Sequence, residues 1–151
     1  MVRIVSKEII IRRADVAEIL DLRHRILRAG LPWETASFEG DDAATTLHFA
    51  AESDGKIVGC ATIMLNEWQG EAAWQVRGMA VDESSRGTGI GRCLLDAIDA
   101  AGEVRLLWCN ARTPAVDFYK RSGWQVVSEV FDIPTAGPHV KMIKQLPPLA
   151  R

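Results

Sequence analysis

Hydrophobic and polar residues along this 151-residue chain follow two periods, and the points where one gives way to the other mark its elements. Residues 8–14, EIIIRRA, have the β-branched character of a short strand. Beyond Asp15 the period lengthens. Val16, Ile19, Leu20, Arg23, Ile26 and Leu27 share one helical face, with Asp15 suited to the N-cap and Gly30 to the stop. Residues 31–45 are turn-rich and acidic, which predicts a loop or one short helix. TLHFAAES (46–53) and KIVGCATIML (56–65) predict two strands joined at Asp54-Gly55, a strong hairpin signal. A further strand covers AAWQVRGMAV (72–81), where the lone Gly78 predicts a bulge or a close backbone approach.

A glycine-rich segment follows. Then Ile90, Leu94, Leu95, Ile98 and Ala101 take helical spacing up to a stop at Gly102. VRLLWC (104–109) predicts a strand, and Thr113-Pro114 opens a helix that runs to Gly123. WQVVSEVF (124–131) and HVKMIK (139–144) predict two closing strands around the turn PTAGP. Hairpins imply antiparallel pairing and the strand–helix–strand crossover around 90–101 implies parallel pairing, so the class is α/β with a mixed sheet. The length suits a single domain, 1–151, with QLPPLAR (145–151) as a loose tail.

Composition narrows the function classes. Apolar residues are 48% and charged residues 25%, as in a soluble globular protein, and the net charge of −2 supplies no general basic field for nucleic acid or an anionic membrane. No apolar run approaches the ~20 residues that span a bilayer, and charges break the N-terminal stretch, which lacks a secretory cleavage pattern. Cys60, Cys93 and Cys109 are odd in number and widely spaced, matching neither a disulfide framework nor a metal site. Buried free thiols in a cytoplasmic protein are the expectation.

The stretch SSRGTGIGR (84–92) carries the chemistry. It is no P-loop, because Arg92 and Cys93 stand where lysine and a magnesium-binding hydroxyl belong. It fits a dinucleotide fingerprint poorly, since the glycines run GxGxG and five residues separate Val81 from Gly87. Taken whole, Arg86-x-x-Gly89-x-Gly91 sits between an apolar strand and an amphipathic helix. Free amides and the dipole at a helix start attract anions, and glycines at 87, 89 and 91 keep side chains out of the way. A tight turn alone needs only one such glycine.

VRGMAVDESSRGTGIGRCLLDAI (76–98) resembles the acetyl-CoA-binding motif of the GNAT superfamily of N-acetyltransferases. AVDFYKRSGW (115–124) resembles the second signature of that family, and the similarity covers residues 46 to 131. The resemblance implies a GNAT-like acyl-CoA N-acyltransferase fold and acetyl-CoA (coenzyme A) as the cofactor. It implies that the amides of Arg86, Gly87, Thr88, Gly89, Ile90 and Gly91 hold the pyrophosphate. It further implies that Met79 and Val81 pair with the pantetheine arm, that Met79 or Ala80 offers an amide to the oxyanion, and that Tyr119 protonates the departing thiolate. Many members carry asparagine three positions before the alanine of the second signature. Arg112 stands there in this chain, and Asn110, two residues earlier, is the candidate for those contacts.

The expected activity is direct acetyl transfer to a primary amine of a small molecule or peptide, with no metal, nucleic acid or membrane involved and a homodimer as a possible assembly through edge strands near 124–144. No side chain stands out as the base. Glu34, Glu39, Asp41 and Asp42 offer an acidic loop that would attract a cationic amine, or simply a solvated one. His48 and His139 read as structural and His24 as surface. Trp33, Phe38, Trp68 and Trp74 are candidates for an acceptor pocket, with core packing the alternative for Trp74. Cys109 is the one conceivable nucleophile. Two rivals remain: a CoA-binding sensor without catalysis, and a dinucleotide-binding subunit.

Overall fold

Strands and helices form where the two periods place them. The computed structural model describes residues 2–4 and 8–149, and the chain gathers into two compact units, 1–64 with 78–101 and 65–77 with 102–151.

In the first unit, β1 (Val2–Ile4), β2 (Glu8–Ala14), β3 (Leu47–Ser53) and β4 (Lys56–Leu65) pair antiparallel in that order. The end of β5 (Trp74–Val81) joins β4, where the Asp82 amide donates to the Val58 carbonyl at 2.8 Å. Helix α1 (Val16–Leu27) starts at Asp15, whose amide donates to the Glu18 carboxylate at 2.8 Å. Its Ile19 and Leu22 pack on Ala50, Cys60 and Ala80. Helix α2 (Ile90–Asp99) lies on Gly59 instead: a Cβ there would stand 2.8 Å from Ile90 Cγ2 and 3.1 Å from Leu94 Cδ1. Successive strand residues face opposite ways, so α1 over Cys60 and α2 over Gly59 cover opposite faces of the sheet.

In the second unit, the start of β5 runs parallel to β6 (Leu106–Arg112) through Trp74–Leu107 and Gln75–Trp108. That ladder stops although Val76 and Arg77 continue β5 and Cys109 continues β6. β6 pairs antiparallel with β9 (Gly137–Gln145), which also carries β7 (Gln125–Val126) and β8 (Phe131–Ile133). Helix α3 (Val116–Arg121) follows a single 3-10 turn at Thr113–Ala115. Ala73, Leu106 and Trp108 form a core with Trp68 and Ile143 against it.

Three elements differ from expectation. β1 is an added edge strand too short to register as a pattern. The strand expected over 124–131 breaks after Val126, because the Ser128 hydroxyl accepts the Lys141 amide at 2.8 Å while the Val127 amide donates to the Lys141 carbonyl. A side chain thus fills a backbone place in the ladder. The expected tail begins held rather than loose: Gln145 ends β9, and Leu146 is buried with its amide donating to the Arg105 carbonyl at 2.7 Å. Ala150 and Arg151, and with them the end of that stretch, lie outside the described residues, as do Met1 and residues 5–7. Among the described residues no helix is long and apolar enough to cross a membrane.

Because Gly59 is the seat of α2, Gly59→Ala forces a methyl into a filled space. We expect a loss of about 1–3 kcal/mol in urea unfolding followed by circular dichroism, with the m-value unchanged.

Candidate functional site

The glycine segment forms an open helix mouth. Gly87 and Gly89 have φ of +79° and +85°, the left-handed region, and a Cβ on either would meet nothing within 4 Å. Gly89 is the N-cap of α2, and the first amide with a helical acceptor is that of Cys93, bonded to the Gly89 carbonyl at 3.0 Å. The amides of Ile90, Gly91 and Arg92 therefore have no acceptor within the helix, at its positive end. Arg86 to Gly89 are exposed, while Ile90 and Gly91 are buried. The preceding turn is braced on both sides: Ser84 Oγ donates to Asp82 Oδ2 at 2.7 Å and Arg25 Nη1 to Asp82 Oδ1 at 2.8 Å. The Ser84 hydroxyl, then the Arg25 guanidinium, hold the Asp82 carboxyl below its usual range. Arg92 faces Asp96 at 3.6 Å, and among the described residues Arg86 has no carboxylate partner. Bare left-handed glycines, free first-turn amides and an uncompensated arginine suit a diphosphate; the residues fit coenzyme A.

Met79, Ala80 and Val81 lie just before this mouth, in the same unit. Gly78 before them has φ of +63°, the expected irregularity in β5. A Cβ at Gly78 would stand 3.0 Å from Arg23 Nε and 3.1 Å from Phe38 Cε2. Arg23 is fully buried, on the helical face where its spacing put it. It donates from Nη1 to Asp41 Oδ2 at 2.7 Å and to the Ala36 carbonyl at 2.8 Å. From Nη2 it reaches Asp41 Oδ1 at 3.2 Å and Thr62 Oγ1 at 2.8 Å. Its guanidinium carbon lies 3.9 Å from the centre of the Phe38 ring, and Nε has no acceptor. His48 extends the network, with Nδ1 2.8 Å from Thr62 Oγ1 and Nε2 3.0 Å from the Asp41 carbonyl.

The second unit holds Asn110 and Tyr119. Asn110 Oδ1 accepts from Lys141 Nζ at 3.0 Å, and that ammonium lies over the rings of Trp108 and Phe131. Tyr119 is 6% exposed, edge-on to Phe118 and Trp124. Burial, with Cys109 beside it, raises the phenol well above its usual value.

Several assignments change. Asp41 is no solvated loop acid: both its carboxylate oxygens are taken by Arg23, and Oδ2 also accepts the Phe38 amide at 2.8 Å. Glu34, Glu39 and Asp42 remain exposed. His48 and His139 are structural, the latter buried with Nδ1 2.8 Å from the Gly137 carbonyl. His24 is not a surface residue but half-buried, with Nε2 2.8 Å from the Leu31 carbonyl and its ring on Trp33. Trp74 is core, Trp68 packs on Trp108, and Trp33 is half exposed. Cys109 is buried, and burial pushes its thiol up to about 12, which disfavours the thiolate a nucleophile needs. The Arg23 network itself was missed. Its signal was a charge inside an apolar helical stripe followed by an acid eighteen residues on.

Known proteins resemble this chain in sequence and in fold. Residues 44–126 match the family described as the acetyltransferase (GNAT) domain. The chain is 31% identical over 145 residues to the uncharacterized N-acetyltransferase YitI of Bacillus subtilis, spanning 90% of this chain and 95% of that one. Among solved structures, Escherichia coli ElaA superposes with a TM-score of 0.75 at 18% identity, covering 91% of this chain and 99% of ElaA. An aminoglycoside 6'-N-acetyltransferase complexed with coenzyme A superposes with a TM-score of 0.73 at 16% identity, covering 94% of this chain and 99% of that one.

Thiol chemistry gives a direct check on burial. Cys60 and Cys109 are both pushed up to about 12, so at pH 8 only roughly one in ten thousand of either is thiolate. A chromogenic disulfide added at pH 8 should label at most the half-buried Cys93 in the native protein, and all three cysteines once denaturant is added.

Proposed function

The chain belongs to the GNAT family and is an acetyl-CoA-dependent N-acetyltransferase; from that premise we propose that it acetylates a primary amine by direct transfer, with Tyr119 as the general acid. The observation that carries the proposal is the open mouth of α2, where left-handed Gly87 and Gly89, free first-turn amides and Arg86 together suit a diphosphate. Arg86 to Gly91 would hold that group by their amides, and Met79 and Val81 would pair with the pantetheine arm as an added strand does. Asn110 would supply a further contact from β6. Bound acetyl-CoA supplies a thioester carbonyl open to attack by a neutral amine.

An alkyl amine of pKa ~10.4 is mostly protonated at pH 7, and freeing its lone pair costs about 4–5 kcal/mol. The exposed carboxylates Glu34, Glu39 and Asp42 would draw the cationic amine in and pass its proton to water. Support for that site comes from Phe38, which lies in the same loop and packs beside Gly78, one residue from the proposed oxyanion donor. The amide of Met79 or Ala80 donates to the charge developing on the carbonyl oxygen. Tyr119 gives its proton to the departing sulfur.

Calorimetry with acetyl-CoA should show saturable heat, and Arg86→Glu should weaken binding at least about tenfold. In a thiol-release assay over a panel of amines, Tyr119→Phe should lower kcat by ~10²–10⁴ while leaving CoA affinity unchanged. A protein that binds acetyl-CoA but releases no thiol with any amine would be the CoA sensor instead. Saturation by NAD rather than acetyl-CoA would sink both.

A further inference from the structure

We infer that Arg23 is a positioning residue: clamped by Asp41, it sets the backbone at Gly78 and so aims the amides of Met79 and Ala80. This rests on the oxyanion role proposed for those amides. Three independent features of the first unit point the same way.

The first is space. At Gly78 the volume that a Cβ would claim already belongs to Arg23 Nε and Phe38 Cε2, at 3.0 and 3.1 Å. Glycine is therefore needed twice at this position, for its φ of +63° and for the side chains pressed against it. A left-handed residue inside a strand re-aims whatever follows it, and here a buried guanidinium lies against that residue.

The second is rigidity. The guanidinium cannot move either, because Nη1 and Nη2 between them hold Asp41, Ala36 and Thr62, and the Phe38 ring covers its face. Asp41 in turn fixes Phe38 by accepting its amide at 2.8 Å. Both atoms that press on Gly78 thus belong to one hydrogen-bonded body, anchored to β4 through Thr62 and to β3 through His48. The Cys60 thiol, also on β4, donates to the Gly78 carbonyl at 3.6 Å and holds the glycine from the strand side.

The third is the leftover donor. Arg23 Nε is buried without a hydrogen-bond acceptor, and it lies nearest to the place a Cβ on Gly78 would take. Nη1 and Nη2 carry the hydrogen bonds of this side chain, and Nε meets the strand at Gly78 by packing.

The test removes both charges together, so that neither is left buried and alone. In the double variant Arg23→Gln/Asp41→Asn, the carboxamide oxygen introduced at position 41 can still accept the Phe38 amide, while the shorter side chain at position 23 withdraws from Gly78. Three quantities are read on the full chain: amide hydrogen exchange at 78–80 without ligand, coenzyme A affinity by calorimetry, and kcat against KM. We expect exchange at 79 and 80 to speed up at least tenfold, kcat to fall at least tenfold, and CoA affinity to fall by less than kcat does, because the amides of 86–91 proposed to hold the diphosphate lie outside the loosened stretch. Unchanged exchange and unchanged kcat in a folded double variant would overturn the inference. Faster exchange with unchanged kcat would uphold the clamp and overturn the role given to the Met79 and Ala80 amides. Should the double variant fail to fold, Arg23→Lys decides by the same three readings: it retains the charge but loses the planar fork, and wild-type exchange and kcat in it would overturn the inference.

Discussion

A guanidinium shut away from water has to be answered by its surroundings, and Arg23 is answered by separate pieces of chain. Asp41 and Ala36 come from the loop after α1, Thr62 from β4, and Gly78 from β5 gives way to it. The Asp41 carbonyl can only accept, so His48 Nε2 carries a hydrogen, and the Thr62 hydroxyl oxygen accepts from Arg23. Removing one partner of such a pair leaves an uncompensated charge, typically about 3–5 kcal/mol, against a total stability of about 5–15 for a domain. The loop, two strands and the bulge therefore stand or fall together.

The mouth of α2, where the diphosphate is proposed to bind, depends on a second constraint of the same kind. Free amides at a helix start bind anions only if the helix is held where its axis points at the ligand. α2 is held by Ile90 and Leu94 lying directly on the bare Cα of Gly59, and the turn before it by Asp82, which ties Val58, Ser84 and Arg25 together. Glycine thus serves opposite ends at neighbouring sites. At 59 and 78 it admits protein side chains; at 87 and 89 a Cβ would meet nothing within 4 Å, which suits the ligand proposed there.

That difference explains what was legible in the sequence. The helix over 90–99 and the hairpin at Asp54-Gly55 were visible because local chemistry alone decides them, spacing in the one and a positive-φ pair in the other; a glycine in a strand marked the irregularity at 78 without showing what lies against it. The glycine-rich mouth of α2, the proposed diphosphate site, was visible because its residues are consecutive. The Arg23 cluster was not, since its members are spread from 23 to 78 and only the fold brings them together. Asp41 looked like its exposed neighbours Glu39 and Asp42 because a loop sequence does not say which acid turns inward. The strand expected across 124–131 failed for a similar reason, as nothing local announces that the Ser128 hydroxyl takes a carbonyl's place in the ladder.

The environment of Tyr119 bears on the proposed proton delivery. Burial raises the phenol well above its usual value, which at first sight makes it a poorer acid. A thiolate of pKa ~8.5 in water, however, meets a penalty of the same sign wherever it departs shielded from solvent, since burial disfavours every anion and raises its conjugate acid too. What governs transfer is the difference between donor and acceptor, and desolvation moves both in one direction. The raised value also keeps Tyr119 fully protonated through neutral and mildly alkaline pH. A donor that never loses its proton to solvent between turnovers suits a step that consumes one proton per product.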